Sequence, residues 1–234
     1  MNTINAIILA GGLGTRLRTL VSDVPKVLAP VNGKPFLDII IRALAKSGII
    51  DHVVIAAGYM AEKIIEQYRN CLEFGLRISI SIEKQLLGTG GAIKLALNYT
   101  ESQDIIILNG DSFIDIDYIA FYKAHKENSA KLTIALKHVD NASRYGIVIL
   151  DNNRIVSFQE KKEKIIAGFI NAGIYILNRD LFAQVAENKV ISMEKEILPE
   201  MIKNDAYGYI SNGRFIDIGI PETYEIADDY LKEV

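Results

Sequence analysis

The chain has 234 residues, half of them hydrophobic, which is enough to bury a substantial core. One domain, residues 1–234, is the simplest arrangement. The formal net charge is −3 and the 26 Lys and Arg residues are spread along the chain, which argues against nucleic-acid binding. The first apolar run is too short for a signal core or a membrane span, which predicts a cytoplasmic protein, and the single cysteine excludes an internal disulfide.

Apolar β-branched runs alternate with amphipathic stretches over the first 140 residues, a rhythm typical of βαβ units around a parallel sheet. The predicted strands are 4–10, 53–57, 77–82, 105–108 and 131–137. The predicted helices are 36–46, 61–70, 91–99 and 116–126. Because the strands are nearly continuous apolar runs, helices are expected to cover both faces of the sheet.

Beyond residue 146 the apolar runs become shorter and are joined by turn residues. Asp151-Asn152-Asn153 separates the runs 147–150 and 155–158, which predicts an antiparallel hairpin beside the main sheet. Two further helices are predicted, one beginning after Ser192, with Glu194 and Glu196 near its positive end, and one over 221–231. The expected fold is therefore α/β: a Rossmann-like, mostly parallel mixed sheet with helices on both faces and a small antiparallel hairpin insertion.

A glycine-rich segment, with Gly11, Gly12 and Gly14, follows the first strand directly. Glycines at the carboxyl end of a strand let backbone N–H groups approach phosphate oxygens, although neither the dinucleotide fingerprint nor the P-loop is complete here. Arg16 and Lys26 supply a forked donor and a point charge that suit a polyphosphate. From these residues alone, a phosphate-binding loop and a tight turn followed by two solvated cations are both possible.

The segments 9–17, 25–31 and 33–35 together resemble the signature of the sugar-1-phosphate nucleotidyltransferase family. The resemblance continues, in the family's order, through 88–92, 109–111, 145–146, 158–161, 171–173 and 217–222. It implies the GT-A-like nucleotidyltransferase fold. It also implies an Mg²⁺-dependent enzyme that joins a nucleoside monophosphate to a sugar 1-phosphate and releases pyrophosphate.

The resemblance also implies roles for individual residues. Arg16 and Lys26 would be catalytic and act on the reacting phosphates. The residues expected to bind the nucleotide are Leu9, Ala10, Gly11, Gly12, Gly14, Thr15, Glu83, Gly88, Thr89, Asn109 and Gly110. Those expected to bind the sugar phosphate are Tyr145, Gly146, Glu160, Lys161, Asn171 and Gly173.

Two aspartates, Asp111 and Asp217, each follow an apolar run that predicts a strand. Two carboxylates at the rim of one sheet, together with nucleotide phosphates, suit Mg²⁺, whereas strand-end turn residues are the alternative. The resemblance implies the metal role. The attacking oxygen of a sugar phosphate is already anionic, so the reaction needs positioning and charge neutralisation rather than a general base.

Glu83 bears on the choice of base. Guanine presents two adjacent donors, N1–H and N2–H₂, that one carboxylate can accept together. Glu83 stands where relatives that use uridine or thymidine nucleotides often carry an amide, which favours GTP; a surface ion pair with Lys84 is the alternative. The segments 21–26, 31–37 and 88–93 are similar to those of D-glycero-D-manno-heptose 1-phosphate guanylyltransferases, which supply GDP-heptose for bacterial surface polysaccharides.

Several alternatives to this hypothesis stay open. One is a uridylyltransferase acting on N-acetylmuramate 1-phosphate or another sugar 1-phosphate, and another is a mannose-1-phosphate guanylyltransferase. A third, from a different class, is a non-catalytic nucleotide-binding regulatory module, against which Arg16, Lys26, Asp111 and Asp217 argue. The chain carries no hexapeptide repeats, and both a monomer and a homodimer are compatible with the sequence.

Overall fold

The computed structural model describes residues 3–159, 166–202 and 206–232. The strands are β1 (Ile4–Ala10), β2 (Pro30–Val31), β3 (Lys34–Pro35), β4 (Ile50–Ala57), β5 (Arg77–Ile82), β6 (Asp104–Asn109), β7 (Ser112–Ile114), β8 (Leu132–Val139), β9 (Ile147–Asp151), β10 (Arg154–Gln159), β11 (Gly168–Asn178), β12 (Ala206–Ile210) and β13 (Phe215–Asp217). The α-helices are α1 (Phe36–Lys46), α2 (Ala61–Tyr68), α3 (Gly88–Ala96), α4 (Tyr118–Glu127), α5 (Leu198–Ile202), α6 (Pro221–Glu225) and α7 (Ala227–Tyr230).

Nine of the described strands form one sheet in the order β5-β4-β1-β6-β11-β8-β12-β10-β9. The strands β5, β4, β1 and β6 run parallel, β11 is antiparallel to both of its neighbours, and β8 and β12 return to the first direction. The hairpin β9–β10 forms the far edge of this same sheet. The predicted mostly parallel mixed sheet with an antiparallel hairpin is confirmed.

Each central strand is buried on both faces. Along β1, Ala6 and Ile8 contribute to one core while Ile7 contributes to the other, and none of the three is exposed to solvent. Helices α1 and α2 pack on the first core and helix α3 on the second. Burying one such aliphatic side chain stabilises the fold by roughly 1.5–3 kcal/mol, so the apolar runs of the sequence account for the three-layer arrangement.

The long strand β11 was not predicted, because its region was interpreted as several short strands. The strand is interrupted by a β-bulge between Asn171 and Tyr175, where Gly173 has a φ of +80°. A bulge places an extra residue against the partner strand and breaks the alternation of side chains. The sequence pattern therefore predicted short strands although the chain runs continuously through the middle of the sheet.

The observed helices differ most from the predicted ones in three places. Helix α3 begins at Gly88 rather than at residue 91, and the single helix expected over 221–231 is divided into α6 and α7 at Ile226. The helix expected after Ser192 begins as a π-helical turn, Met193–Ile197, and continues as α5; Ser192 caps it by accepting from the N–H of Lys195. None of the helices described is both long and apolar enough to span a bilayer.

Candidate active site

The glycine-rich loop lies at the carboxyl end of β1, between the ends of β4 and β6. Gly11 forms the closest approach in this loop, because a Cβ at that position would overlap Oε1 of Glu83. A residue with a Cβ at this position would therefore displace the Glu83 carboxylate. Gly12 is exposed and Leu17, just beyond the loop, is fully buried, which anchors the loop while leaving its tip open.

A cleft of about 370 Å³ opens above this loop. Its lining consists of Leu9, Gly11, Gly12, Leu13, Gly14, Lys26, Val27, Glu83, Leu86, Gly88, Thr89, Ala92, Asn109, Gly110, Asp111 and Glu194. Most of the residues predicted to bind a nucleotide are therefore in one place. Ala10 is buried beneath the loop and Thr15 is exposed beyond it, so neither lines the cleft. A larger cavity of about 580 Å³, beside α1, contains none of the predicted site residues.

The carboxylate of Glu83 forms one wall of the cleft. Its Oε2 accepts a hydrogen bond of 2.9 Å from the backbone N–H of Leu87, and its Oε1 faces Gly11 and Gly58. Burial raises the pKa of Glu83, although the Leu87 hydrogen bond opposes the shift. Among the described residues, Glu83 forms no ion pair with Lys84, so the surface-pair alternative is not supported.

The beginning of α3 is hydrogen-bonded to residues 191–194, which are distant in sequence. The backbone N–H groups of Gly90 and Gly91 donate to the carbonyl of Ile191, at 2.9 and 3.3 Å. The hydroxyl of Thr89 donates to Glu194 at 2.8 Å and accepts from the N–H of Met193 at 2.8 Å. This helix terminus is therefore held against the 191–194 segment, and its N–H groups at positions 90 and 91 already have a protein acceptor.

Lys26, Asp111 and Asp217 converge beside the loop. The Lys26 ammonium, which is mostly buried, forms an ion pair with the carboxylate of Asp111. Burial and the neighbouring Asp111 charge raise the pKa of Asp217, whereas the N–H of Gly219 and the charge of Lys26 act in the opposite direction. Two carboxylates and one ammonium thus share a small, poorly solvated space, where charge interactions are stronger than in water.

The strands that bring Asp111 and Asp217 together are arranged differently from the prediction. Asp111 lies in the turn after β6, but Asp217 belongs to the two-stranded sheet β7–β13 and not to the rim of the main sheet. The strand pairing puts Asp217 opposite Ser112, and the N–H of Ile218 donates to the carbonyl of Asp111 at 2.9 Å. The expected proximity holds, whereas the expectation of a shared sheet was wrong: the apolar run before Asp217 does form a strand, but it pairs with β7 instead of joining the main sheet, and a strand's partner cannot be read from its own periodicity.

Tyr145, Gly146, Asn171 and Gly173 lie on the β11 side of the cleft. The ring of Tyr145 packs edge-to-face on the ring of Phe215 in β13, with the two ring centroids 6.0 Å apart. Burial, together with the charge of Asp217, raises the pKa of Tyr145. Gly146 is half-buried just before β9. Arg16 is exposed on the loop, and its charge acts to lower the pKa of Tyr145.

The bulge in β11 brings the two groups of predicted residues into contact. A Cβ on Gly173 would lie 2.9 Å from Nδ2 of Asn109, so only glycine allows Asn109 to pack there. The side chain of Asn171 donates to the hydroxyl of Tyr175 at 2.7 Å and accepts from the N–H of Gly173 at 2.9 Å. Glu160 and Lys161, also predicted to bind the sugar phosphate, lie outside the described residues.

Two residues near the site were missed by the sequence analysis. Arg144 directs its guanidinium toward Asp217, with Nη2 3.9 Å from Oδ2, and stacks on the ring of Tyr145. Its position just before Tyr145-Gly146 was the available signal. Glu194 was interpreted as an acid near the positive end of a helix, yet it lines the cleft and binds Thr89, a contact across 105 positions that no local pattern reveals.

Known proteins resemble this chain over most of its length. Residues 5–233 match the sequence model of the family described as Nucleotidyl transferase. D-glycero-alpha-D-manno-heptose 1-phosphate guanylyltransferase from Aneurinibacillus thermoaerophilus is 42% identical over 228 residues, which cover 97% of this chain and 98% of that protein. The enzyme with the same description from Campylobacter jejuni is 43% identical over 221 residues, which cover 94% and 96%.

Solved structures of proteins similar in length to this chain have a similar fold. HddC from Yersinia pseudotuberculosis is 34% identical, with a TM-score of 0.87 and coverage of 97% of this chain and 99% of that chain. The same protein complexed with GMP-PN has a TM-score of 0.86. A family match across nearly the whole chain, relatives above 40% identity and the shared fold together lead to one conclusion: the chain belongs to the nucleotidyl transferase family.

Proposed function

We propose that the protein transfers GMP from GTP to D-glycero-α-D-manno-heptose 1-phosphate and releases pyrophosphate. The observation that carries this proposal is the convergence of Lys26, Asp111 and Asp217 beside a cleft whose wall holds the carboxylate of Glu83. The heptose is inferred from the relatives, since two enzymes at 42% and 43% identity are heptose 1-phosphate guanylyltransferases. The product, a GDP-sugar, would serve bacterial surface polysaccharide synthesis.

The base-binding end of the cleft favours guanine. With Oε2 occupied by the N–H of Leu87, Glu83 has Oε1 available for a donor on the base. Guanine presents N–H groups on the edge where uracil presents a carbonyl next to its single donor, so a carboxylate here favours GTP over UTP. The structure of HddC complexed with GMP-PN, at 34% identity, supports the same choice.

We propose that a divalent metal binds beside Asp111 and Asp217. The raised pKa of Asp217 has burial as its main cause and the Asp111 charge as the next, so the two carboxylates repel each other and a cation would relieve that repulsion. No third His, Cys, Asp or Glu joins them among the described residues. Two carboxylates completed by phosphate oxygens and water suit Mg²⁺, which we propose as the cofactor and which would supply charge neutralisation on the phosphates.

The reaction follows from this arrangement. An oxygen of the acceptor phosphate attacks the α-phosphorus of GTP, and the bond from that phosphorus to the bridging oxygen breaks, with the electron pair leaving on pyrophosphate. Lys26 and Arg16 would hold and neutralise the phosphates, and the backbone of the glycine loop would position them. Tyr145, Gly146, Asn171 and Gly173, with Glu160 and Lys161, would hold the acceptor in line.

The proposal includes one domain over residues 1–234 and a cytoplasmic location, with a monomer or a homodimer as the working unit. Support for one domain comes from the sheet, which joins strands from residue 4 to residue 210. Both substrates are multiply charged and water-soluble, so the reaction takes place in an aqueous compartment.

The test is pyrophosphate release from GTP, UTP, ATP and CTP, each paired with heptose 1-phosphate and with mannose 1-phosphate, with Mg²⁺ present or chelated. The proposal predicts metal-dependent release that is fastest with GTP and the heptose phosphate. Fastest release with UTP would overturn the role of Glu83, and fastest release with mannose 1-phosphate would overturn the acceptor. No release from any pair would favour a non-catalytic nucleotide-binding module.

A further inference from the structure

Glu194 is a second carboxylate on the wall of the nucleotide cleft, and the proposed reaction so far gives it no role. Its Oε2 accepts from the hydroxyls of Thr89, at 2.8 Å, and Ser192, at 3.0 Å. The Thr89 hydroxyl in turn accepts from the N–H of Met193, which fixes the direction of its proton. The carboxylate is therefore oriented by hydrogen bonds before any ligand binds, as preorganised sites require.

The backbone that carries Glu194 is unusual. Residues Met193–Ile197 form a single π-helical turn ahead of α5, and the N–H groups of Glu196 and Ile197 both donate to the carbonyl of Ser192. Single π-helical turns frequently occur at functional sites. Glu194 belongs to this turn, lines the cleft and contacts the start of α3 through Thr89.

The position of Glu194 differs from that of Glu83. Glu83 follows β5, an edge strand, three strands away from β6, whereas the charge of Glu194 acts on Tyr175 in β11, on the other side of β6. Tyr175 is the hydrogen-bond partner of Asn171. The two carboxylates also have different partners on the cleft wall: Glu83 accepts from the N–H of Leu87, and Glu194 accepts from the hydroxyl of Thr89.

The chemistry of a carboxylate then limits what Glu194 can bind. An ionised carboxylate only accepts hydrogen bonds, and it repels phosphate groups, so it must face a part of the ligands that carries donors. Because Glu83 is assigned to the base, the donors that remain in this reaction are sugar hydroxyls, which belong either to the ribose of the nucleotide or to the ring of the sugar 1-phosphate. We infer that Glu194 accepts a hydrogen bond from a sugar hydroxyl and thereby helps to select the substrate.

This inference rests on the proposed function, and the variant that tests it is Glu194→Gln. The amide keeps the shape of the side chain but removes the charge, and hydrogen bonds to charged groups are roughly twice as strong as neutral ones. We expect the KM for one substrate to rise about tenfold, with a smaller change in kcat, because the contact positions the ligand and does not touch the reacting atoms.

Glu196→Gln is the matched control. Its Oε1 accepts from the N–H of Ser192 at 2.9 Å, so it supports the same turn, but it does not line the cleft. This variant should leave both KM values within about twofold of the wild type. If both variants raised KM and lowered the melting temperature alike, Glu194 would have only a structural role and the inference would be wrong.

The two possible sources of the hydroxyl are separated by measuring KM for GTP and for heptose 1-phosphate, and by repeating the first with 2′-deoxy- and 3′-deoxy-GTP. If Glu194 binds the ribose, Glu194→Gln should raise the KM for GTP, and this increase should disappear with one of the two deoxynucleotides. If Glu194 binds the acceptor, the increase should appear in the KM for heptose 1-phosphate. Unchanged KM values for both substrates would overturn the inference while wild-type turnover upheld the proposed function. If the wild type showed no turnover, the proposed function would fail, and calorimetric titration of wild type and variant with the same two ligands would decide the Glu194 contact.

Discussion

Replacing Glu83 with glutamine should change which nucleotide the protein prefers. The Leu87 N–H donates to Oε2 of Glu83, and in the variant the single amide oxygen would keep this bond. The amide NH₂ would then stand where Oε1 is now, so a donor would face the N–H donors of guanine. The same NH₂ matches a carbonyl oxygen of uracil.

The size of the effect follows from the lost contact. A hydrogen bond to a charged group contributes about 1.5–3 kcal/mol, and its loss corresponds to roughly a ten- to hundredfold fall in kcat/KM for GTP. In the variant, the glutamine NH₂ and the N–H of guanine would face each other without an acceptor. This adds to the loss, because a buried donor without an acceptor costs about 1–3 kcal/mol. The preference between GTP and UTP should therefore move by at least about tenfold toward UTP.

The assay is pyrophosphate release with GTP and UTP under identical acceptor and Mg²⁺ concentrations, for the wild type, Glu83→Gln and Lys84→Gln. Lys84 is the adjacent exposed residue and does not line the cleft, so its replacement should leave the preference unchanged. The assignment of Glu83 to the base would be refuted if Glu83→Gln melted at the wild-type temperature and kept the wild-type ratio of kcat/KM for GTP to kcat/KM for UTP.

Three further predictions concern the same wall of the cleft and the opposite end of the sheet. Because burial raises the pKa of Glu83, GTP binding that needs its ionised form should weaken as the pH falls through that raised value; a KM for GTP that stays constant on acidification would contradict this. Gly11→Ala should lower kcat/KM for GTP by about tenfold or more, because the added methyl group displaces the Glu83 carboxylate. Initial-rate measurements over a range of GTP concentrations would detect the lower kcat/KM, and a wild-type value would contradict the prediction. Asp104 is buried, which raises its pKa, but the nearby His125 ring, 3.6 Å away, and the hydrogen bond from Lys126 at 2.8 Å outweigh this and hold the pKa far below its ordinary value. Asp104→Asn should lower the melting temperature by roughly 4–8 °C near neutral pH, for a loss of about 2 kcal/mol. Since the pKa is lowered in the folded state, this difference should shrink as the pH falls below the ordinary carboxyl value of 3.8, and a constant difference would refute the role of the charge.

The central part of the site could be predicted because its residues stand at the ends of recognisable strands. The glycine loop follows β1 and Asp111 follows β6, and these two strands are neighbours in the sheet. The carboxyl ends of adjacent parallel strands meet at one edge, so strand order and motif position together bring these residues close to each other. The same reasoning placed Glu83 at the end of β5.

The remaining features depend on contacts that have no local signature. Asp217 reaches Asp111 through a pair of three-residue strands, and Glu194 reaches Thr89 across more than a hundred residues. The bulge at Gly173 hid the continuity of β11 because it breaks the alternation by which a strand is recognised. In each case a tertiary contact decides the local conformation, and the residues involved look like ordinary turn or surface positions in the sequence.

The proposed activity is guanylyl transfer to a sugar 1-phosphate at the carboxylates beside the glycine loop. The most direct test is mass spectrometry of the nucleotide-sugar formed from GTP and heptose 1-phosphate by the wild type and by Asp217→Asn. We expect GDP-heptose from the wild type and a rate at least about 10²-fold lower from the variant, since the asparagine removes a charge from the proposed Mg²⁺ site. Absence of GDP-heptose from the wild type, or an equal rate in the variant, would contradict this proposal.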